Sequence, residues 1–542
     1  MSLHLGMWFS PGEWLAASLF FAASLTPSLY PRPWLTQGVL SGAAVAIGLG
    51  TGRANRRLVS LLPTRPPAAP PAARAAVLLL AGATASWALL ANYHWQVDVR
   101  RLMTIDGDAA PYLASAVAVA AAIAYAVVLV VRLAHPGLSC YAGLVTRIVP
   151  RRGRGLAHTI VALAVTVAVI DIGIASELVP SVNDRLVAAD AGSDPDVRPP
   201  RSGGRSGSRA SLVAWDSLGR MGRRFVATAP TVGQLRAFSG APARAPIRAY
   251  VGLASAPSVQ ARADLAVAEL ERTGAFDRDV LLVITATGTG SVNRHAVAPL
   301  EYMYRGDTAA VAVQYSYLPS WLVMGGNQDR ARTTASALFD AVTRRLRRRP
   351  LSARPLLLLY GESLGSFGSE QVFADLADIR AHVDGALWVG PTRANPLWRQ
   401  FTAARDAGSP QWRPVYQDGR TVRFATNGED LNQSGRWSTP RVVYLQHPSD
   451  PVTWWTPDLA FTRPAWLRDP RPRGISPRTP YLPIITFVQT TIDTILGGNA
   501  PTGHGHIYGP EHVDAWAHIA APTDWTRADT TRLRARLESL AD

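Results

Sequence analysis

Gly361-Glu-Ser-Leu-Gly365 is the segment of this chain best suited to chemistry. A serine between two glycines, reached from the apolar run Pro355–Tyr360 and followed by a helix-forming stretch, fits a nucleophile elbow. Such a turn is too sharp for side chains at its flanks, and its strain holds the hydroxyl of Ser363 clear of a sheet. The amides that open the next helix favour a developing oxyanion. The plainer alternative is a tight strand–helix turn that merely uses small residues.

A serine hydroxyl needs a base, and the base needs an orienting acid. With an elbow, the expected chain order is serine, acid, histidine. The acid is expected in the turn after the next-but-one strand, where Val442-Val-Tyr-Leu-Gln-His-Pro-Ser-Asp-Pro-Val452 offers Asp450, ahead of Asp458 and Asp430. Asp before Pro is also a common turn former. For the base, the late loop Thr502-Gly-His-Gly-His-Ile-Tyr-Gly509 offers His506 and His504. His506 is preferred for its small–His–apolar–aromatic setting, and His504 stays open. His-x-His also suits a metal pair, but no Asp, Glu or Cys cluster nearby completes a shell, so no metal and no cofactor are expected. His512 and His518 follow at helical spacing, as surface or packed residues.

An oxyanion hole needs two backbone amides. One is expected from Leu364, the other from the loop Ile284-Thr-Ala-Thr-Gly-Thr-Gly-Ser291, where Gly288 and Gly290 permit close approach and Thr287 or Thr289 adds a hydroxyl. Thr-Gly-Thr-Gly also resembles a phosphate cradle, but it lacks the P-loop lysine and the full dinucleotide fingerprint. The aromatic runs Gln314–Trp321 and Trp454-Trp455 suit either a substrate pocket or core packing.

The elements that must position these residues follow from the apolar pattern. Strands are expected at Ile247–Leu253, Val280–Thr285, Thr308–Gln314, Pro355–Tyr360, Gly385–Val389 and Val442–Gln446, with helices such as Ala261–Arg272, Gln328–Arg348 and Glu370–Ile379 between them. Continuous apolar strands alternating with helices predict a mostly parallel sheet covered on both faces, with the site at its carboxyl edge.

The first third differs. About five apolar stretches, near Gly12–Leu29, Leu35–Leu49, Ala75–Ala91, Tyr112–Leu133 and Leu156–Val179, approach the roughly 20 residues a membrane helix needs. The first two are short and separated by Pro31 and Pro33, so a re-entrant hairpin is an alternative. The loops Thr51–Arg74 and Arg132–Gly155 carry arginines and no acid, which places them in the cytoplasm and everything after Val179 outside. Asp171 is the one ionisable residue well inside a span, while His94, His135 and His158 lie in or beside spans. The expected organisation is therefore a multi-pass α-helical membrane domain at residues 1–183, a flexible Gly/Ser/Arg-rich linker at 184–211, and an α/β-hydrolase domain at 212–542.

The net charge of +16 is carried by arginine, since the 542 residues contain no lysine. Arginine in loops between apolar segments favours membrane lipids as partners, and no nucleic-acid signature is present. Cys140 is the single cysteine, which excludes a disulfide within the chain and a thiolate metal site.

The residues resemble a known group, the membrane α/β-hydrolases of actinobacterial type with a polytopic N-terminal domain (alpha/beta-hydrolase family 9). The resemblance rests on Glu269-Leu-Glu-Arg-Thr-Gly-Ala-Phe-Asp-Arg278, Thr287-Gly-Thr-Gly290, Leu300-Glu-Tyr-Met303, Gln314-Tyr-Ser316, Gly361-Glu-Ser-Leu-Gly365 and Gly503-His-Gly-His506. It covers nearly the whole chain and implies a serine hydrolase on a membrane anchor, with Ser363 as nucleophile. It also brings in aminoacyl esters of membrane lipids as one candidate substrate. Three functions are set against each other: an extracytoplasmic hydrolase of a lipid or envelope ester, an envelope acyltransferase with the same triad, and a transporter or sensor whose hydrolase fold only binds. The sequence does not report the oligomeric state.

Overall fold

The computed structural model describes residues 9–60, 69–145, 179–318, 328–433, 435–468, 470–496 and 500–539. Two compact units emerge, one of residues 1–182 with 474–489, the other of residues 183–473 with 490–542.

The first unit is helical: α1 (Pro11–Ser24), α2 (Trp34–Val59), α3 (Pro71–Leu102) and α4 (Ala109–Val145). Among the described residues, three helices are long and apolar enough to cross a membrane, at Trp34–Val59, Pro71–Leu102 and Ala109–Leu133. The expected first span is the 14-residue α1. At about 1.5 Å per residue it falls short of a hydrocarbon core of roughly 30 Å. The expected fifth span and Asp171 lie outside the described residues. Two Gly-x-x-x-Gly pairs on α2 set the packing. A Cβ on Gly38 or Gly42 would fall 2.6 Å from Val119 Cβ or 2.7 Å from Ala120 O of α4, and one on Gly48 or Gly52 2.7 Å from the Cα of Ala17 or Glu13 on α1. Small residues at this spacing let helix backbones approach where no hydrophobic effect drives association. Residues 474–489 join this unit through hydrogen bonds. Arg32 donates to Gln489 O, and Gln489 Nε2 donates to the carbonyls of Ala23, Ser24 and Thr26.

The second unit is a seven-stranded sheet, all parallel, in the order β1-β3-β2-β4-β5-β7-β6. Its strands are β1 (Ile247–Val251), β2 (Val280–Thr285), β3 (Thr308–Val313), β4 (Leu356–Glu362), β5 (Gly385–Val389), β6 (Val422–Ala425) and β7 (Arg441–Leu445). The helices Val259–Arg272, Gln328–Leu346 and Leu364–Glu370 form one covering layer, and Arg294–Met303 with Glu511–Ala520 belong to another. Burial on both sides explains why the strands read as unbroken apolar runs. β6 was not foreseen: its four residues at the sheet edge carry too little pattern. The chain leaves β2 toward β3 on one side and β4 toward β5 on the other. The switch point therefore lies between the carboxyl ends of β2 and β4, where ligands bind in such sheets.

Residues 184–211, expected as a flexible tether, are ordered against this unit. Residues 184–191 finish the helix Val179–Ala191, whose last carbonyls are capped by the guanidinium of Arg223. Beyond it, Ser206 N–H donates to Arg248 O (3.1 Å), Arg248 N–H to Gly204 O (3.2 Å) and Tyr250 N–H to Ser206 Oγ (3.0 Å). The buried carboxylate of Glu269 accepts from Ser211 Oγ and Leu212 N–H. The glycines and serines that cannot build a core instead lie close against the edge strand β1 and satisfy its polar groups.

Candidate active site

Ser363 sits where β4 turns into the helix Leu364–Glu370, with φ 59° and ψ −126°. A non-glycine residue in such a region costs about 1–3 kcal/mol and persists only when its surroundings fix it. They do so here. Ser363 N–H donates to Val389 O at 2.9 Å, and Ser366 donates to Ser363 O through its N–H (3.0 Å) and Oγ (2.7 Å). A Cβ on Gly361 would lie 2.4 Å from Gly365 O, and one on Gly365 2.3 Å from Thr285 O. Both glycines are therefore steric requirements of the turn. Ser363 Oγ is buried and bonds to no described atom.

Asp450 follows β7 and is fully buried. Its Oδ1 accepts Val452 N–H at 2.8 Å, while Oδ2 accepts His506 Nδ1–H at 2.7 Å and the Tyr508 hydroxyl at 2.8 Å. With Nδ1 committed as donor, Nε2 of His506 is the nitrogen able to take a proton. Burial opposes charge on this imidazole, but the carboxylates of Asp450 and Glu362 outweigh it and raise its pKa above the usual histidine value. The ring lies against Gly390, where an added Cβ would be 2.7 Å from its Cε1. Gly390 directly follows Val389, whose carbonyl anchors Ser363. The imidazole of His506 thus stands beside Ser363 across the end of β5, although no Ser363–His506 hydrogen bond is formed. Such bonds are often long before substrate arrives and tighten in the reacting complex.

The competing residues are placed elsewhere. His504 has no ring hydrogen bond among the described residues, its backbone closes the turn to Ile507, and burial lowers its pKa. Asp430 pairs with Arg413 and accepts from Thr426. Asp458 lies in an exposed turn with Thr456.

The loop after β2 touches the elbow, since a Cβ on Gly365 would also be 2.7 Å from Ala286 O. Within it, Thr287 N–H donates to Ser291 O and Gly290 N–H to Thr287 O, so those two amides are used by the loop itself. The N–H groups of Leu364, Gly288 and Thr289 have no acceptor among the described residues. The hydroxyls of Thr287 and Thr289 lie 3.2 Å apart. Of the aromatic candidates, Trp454 is buried and bonds to His447 O, Trp455 bonds to Thr491, and Trp321 lies outside the described residues. Tyr315 packs with Ala331 and Leu364, its hydroxyl without a hydrogen bond among the described residues.

Several groups around the site were not singled out from the sequence. Asn293 donates to Glu362 (3.1 Å) and to Tyr508 O (3.1 Å), and Tyr360 donates to Glu362 (2.6 Å). These contacts join positions up to 215 residues apart, and no local signal announces them. His447, three residues before Asp450, and Tyr508, two after His506, were legible as neighbours but not as partners.

The pattern of an alpha/beta-hydrolase family matches residues 247–533, and that of the same family's N-terminus matches residues 25–230. The chain belongs to this alpha/beta-hydrolase family. Membership supports a hydrolase function, and the seven-stranded parallel sheet, which follows three apolar helices in the sequence of described residues, agrees with it. No curated protein and no solved structure matches the chain.

Proposed function

We propose that this family member is a membrane-anchored serine hydrolase that cleaves an ester of a lipid or cell-envelope component. The observation that carries the reading is Ser363 held at positive φ beside a buried Asp450–His506 pair. In the reaction, Ser363 Oγ attacks the ester carbonyl as His506 Nε2 takes its proton. The imidazolium is stabilised by Asp450, and the carbonyl oxygen becomes an oxyanion facing the amides of Leu364 and of Gly288 or Thr289. Collapse expels the alcohol, which receives the proton from His506, and leaves an acyl-serine. A water molecule, deprotonated by the same imidazole, then releases the acid and restores Ser363. This is the triad logic, reached here through an elbow.

The apolar helices fit anchoring in a membrane, and the arginine-rich loops favour a catalytic unit on the outer side. An anchored site meets substrates that reside in or near the bilayer, which points to a lipid ester, with an aminoacyl ester of a membrane lipid as the first to try. Purified full-length protein is expected to hydrolyse such an ester in mixed micelles. Membranes from cells carrying Ser363→Ala are expected to accumulate one class of esterified lipid. Equal turnover by wild type and Ser363→Ala would defeat the reading.

A further inference from the structure

Glu362 directly precedes Ser363 at the carboxyl end of β4, and its side chain is partly buried. One of its carboxylate oxygens is held in place. Oε2 accepts the Tyr360 hydroxyl at 2.6 Å and Asn293 Nδ2–H at 3.1 Å. Asn293 also donates to Tyr508 O at 3.1 Å, which ties Glu362 to the loop that carries His506. Asn293 itself closes the segment after β2 that holds Gly288 and Thr289. The carboxylate is therefore fixed where the elbow, the loop after β2 and the late loop meet.

The other oxygen, Oε1, accepts no hydrogen bond among the described residues, and no arginine or histidine there forms an ion pair with Glu362. Oε1 is not one of the buried atoms without a partner; it is open to solvent. Other glutamates of this unit use both oxygens. Those of Glu301 accept from Arg248, and those of Glu269 from Arg272, Ser211 and Leu212 N–H. Those of Glu370 accept from Tyr444 and Leu397 N–H. With 55 arginines in the chain, cations are not scarce, yet none pairs with Glu362. Its charge does favour the imidazolium of His506, but that effect acts alike on every ester and leaves Oε1 free.

We propose that Glu362 sets specificity: its free oxygen receives an ammonium group of the substrate, so that the preferred ester carries a cation within a few atoms of the carbonyl that Ser363 attacks. The proposal rests on the serine-hydrolase reading and narrows the substrate class of that site. Neighbouring Cα atoms are about 3.8 Å apart, which keeps the carboxylate within short reach of the reacting carbonyl. Taking a cation into a partly buried site costs solvation. A charge-assisted hydrogen bond to a carboxylate already held in place offsets that cost without ordering a new side chain. The ammonium can belong to the acyl group, as in an amino acid ester, or to the alcohol, as in a choline ester. The two share this chemistry, and the test separates them.

The full-length protein in mixed micelles is given two pairs of esters matched in shape. On the acyl side, dioleoylglycerol esterified with alanine is compared with the same alcohol esterified with isobutyrate, following release of the short acid. On the alcohol side, oleoylcholine is compared with neohexyl oleate. In one of the pairs, Glu362→Gln is expected to lower kcat/KM for the cationic ester about tenfold or more relative to its neutral partner, chiefly through KM. Glu362→Asp, which keeps the charge, is expected to retain part of the preference. The pair that responds identifies the source of the ammonium. A loss shared alike by all four esters, with both ratios unchanged, overturns the proposal, because that is the effect of charge on His506 alone. Wild-type ratios, divided by those for hydroxide, give a check that needs no variant: a preference for one cationic ester supports the proposal, and no preference overturns it. Four esters left uncleaved by a protein that a fluorophosphonate does label at Ser363 overturn the proposal alone. Four left uncleaved by a protein that is not labelled would be a failure of the hydrolase reading, and the proposal would fall with it.

Discussion

Gly42 of α2 and Gly365, two residues after Ser363, stand in similar steric positions, with an added Cβ 2.7 Å from Ala120 O in one case and 2.3 Å from Thr285 O in the other. Their consequences differ. On α2 the close contacts repeat along the helix at Gly38, Gly42, Gly48 and Gly52, and each is one among several that hold neighbouring helices together. A helix pair can absorb one extra methyl by a small shift. In the second unit the contacts of Gly361 with Gly365 O and of Gly365 with Thr285 O both shape the one turn that carries Ser363. A displacement of an ångström there changes the approach geometry on which the reaction rate depends. One residue type thus serves graded packing in the first unit and an all-or-none geometry in the second.

Substitutions separate the two uses. The largest effect is expected at the proposed nucleophile: Ser363→Ala should lower ester turnover on the order of 10⁴-fold or more, with the unfolding temperature unchanged. Asp450→Asn should come next, with a loss on the order of 10³–10⁴-fold, because the imidazole loses the carboxylate that fixes its tautomer. It also carries a sign. The His506 pKa is raised in the folded protein, and only the neutral ring is a base, so activity appears as pH rises through that elevated value. Without the carboxylate, burial dominates, and the acidic limb of the remaining activity should move to lower pH. Gly365→Ala should lower turnover by about 10²-fold by displacing the elbow, and destabilise by about 1–3 kcal/mol. Tyr508→Phe removes one hydrogen bond to Asp450 and should reduce turnover about tenfold, in keeping with roughly 1.5 kcal/mol for a bond to a charged group. The smallest catalytic effect belongs to Gly42→Ala. It should lower the thermal stability of the helical unit in detergent while the rate per folded molecule changes less than about threefold. A Gly42→Ala variant that lost turnover as Gly365→Ala does would erase the distinction between the units.

The same distinction governs what could be read from the sequence. The elbow was legible because its spacing is local: a strand, two glycines and a serine within a few residues. Six strands were legible because burial on both faces makes them unbroken apolar runs, whereas β6, at the edge and four residues long, was not. Residues 184–211 misled, since a Gly/Ser/Arg composition excludes a core but does not exclude hydrogen bonding along the edge strand β1. The spacing Gly38-x-x-x-Gly42 and Gly48-x-x-x-Gly52 is visible in the sequence, but not which helix each pair meets. The contribution of residues 474–489 to the helical unit was invisible, because it depends on pairs such as Arg32 with Gln489, which are 457 positions apart. For the site, the sequence narrowed the proposed base to His504 or His506. What distinguishes them is a contact with Asp450, 56 residues earlier, which no local pattern encodes.

The most direct test of the central assignment is to treat the full-length protein with a fluorophosphonate, digest it, and locate the adduct by mass spectrometry. A single adduct on the peptide containing Gly361–Gly365, at Ser363, is the predicted result. An unmodified protein, or an adduct on another serine that persists in Ser363→Ala, would contradict it.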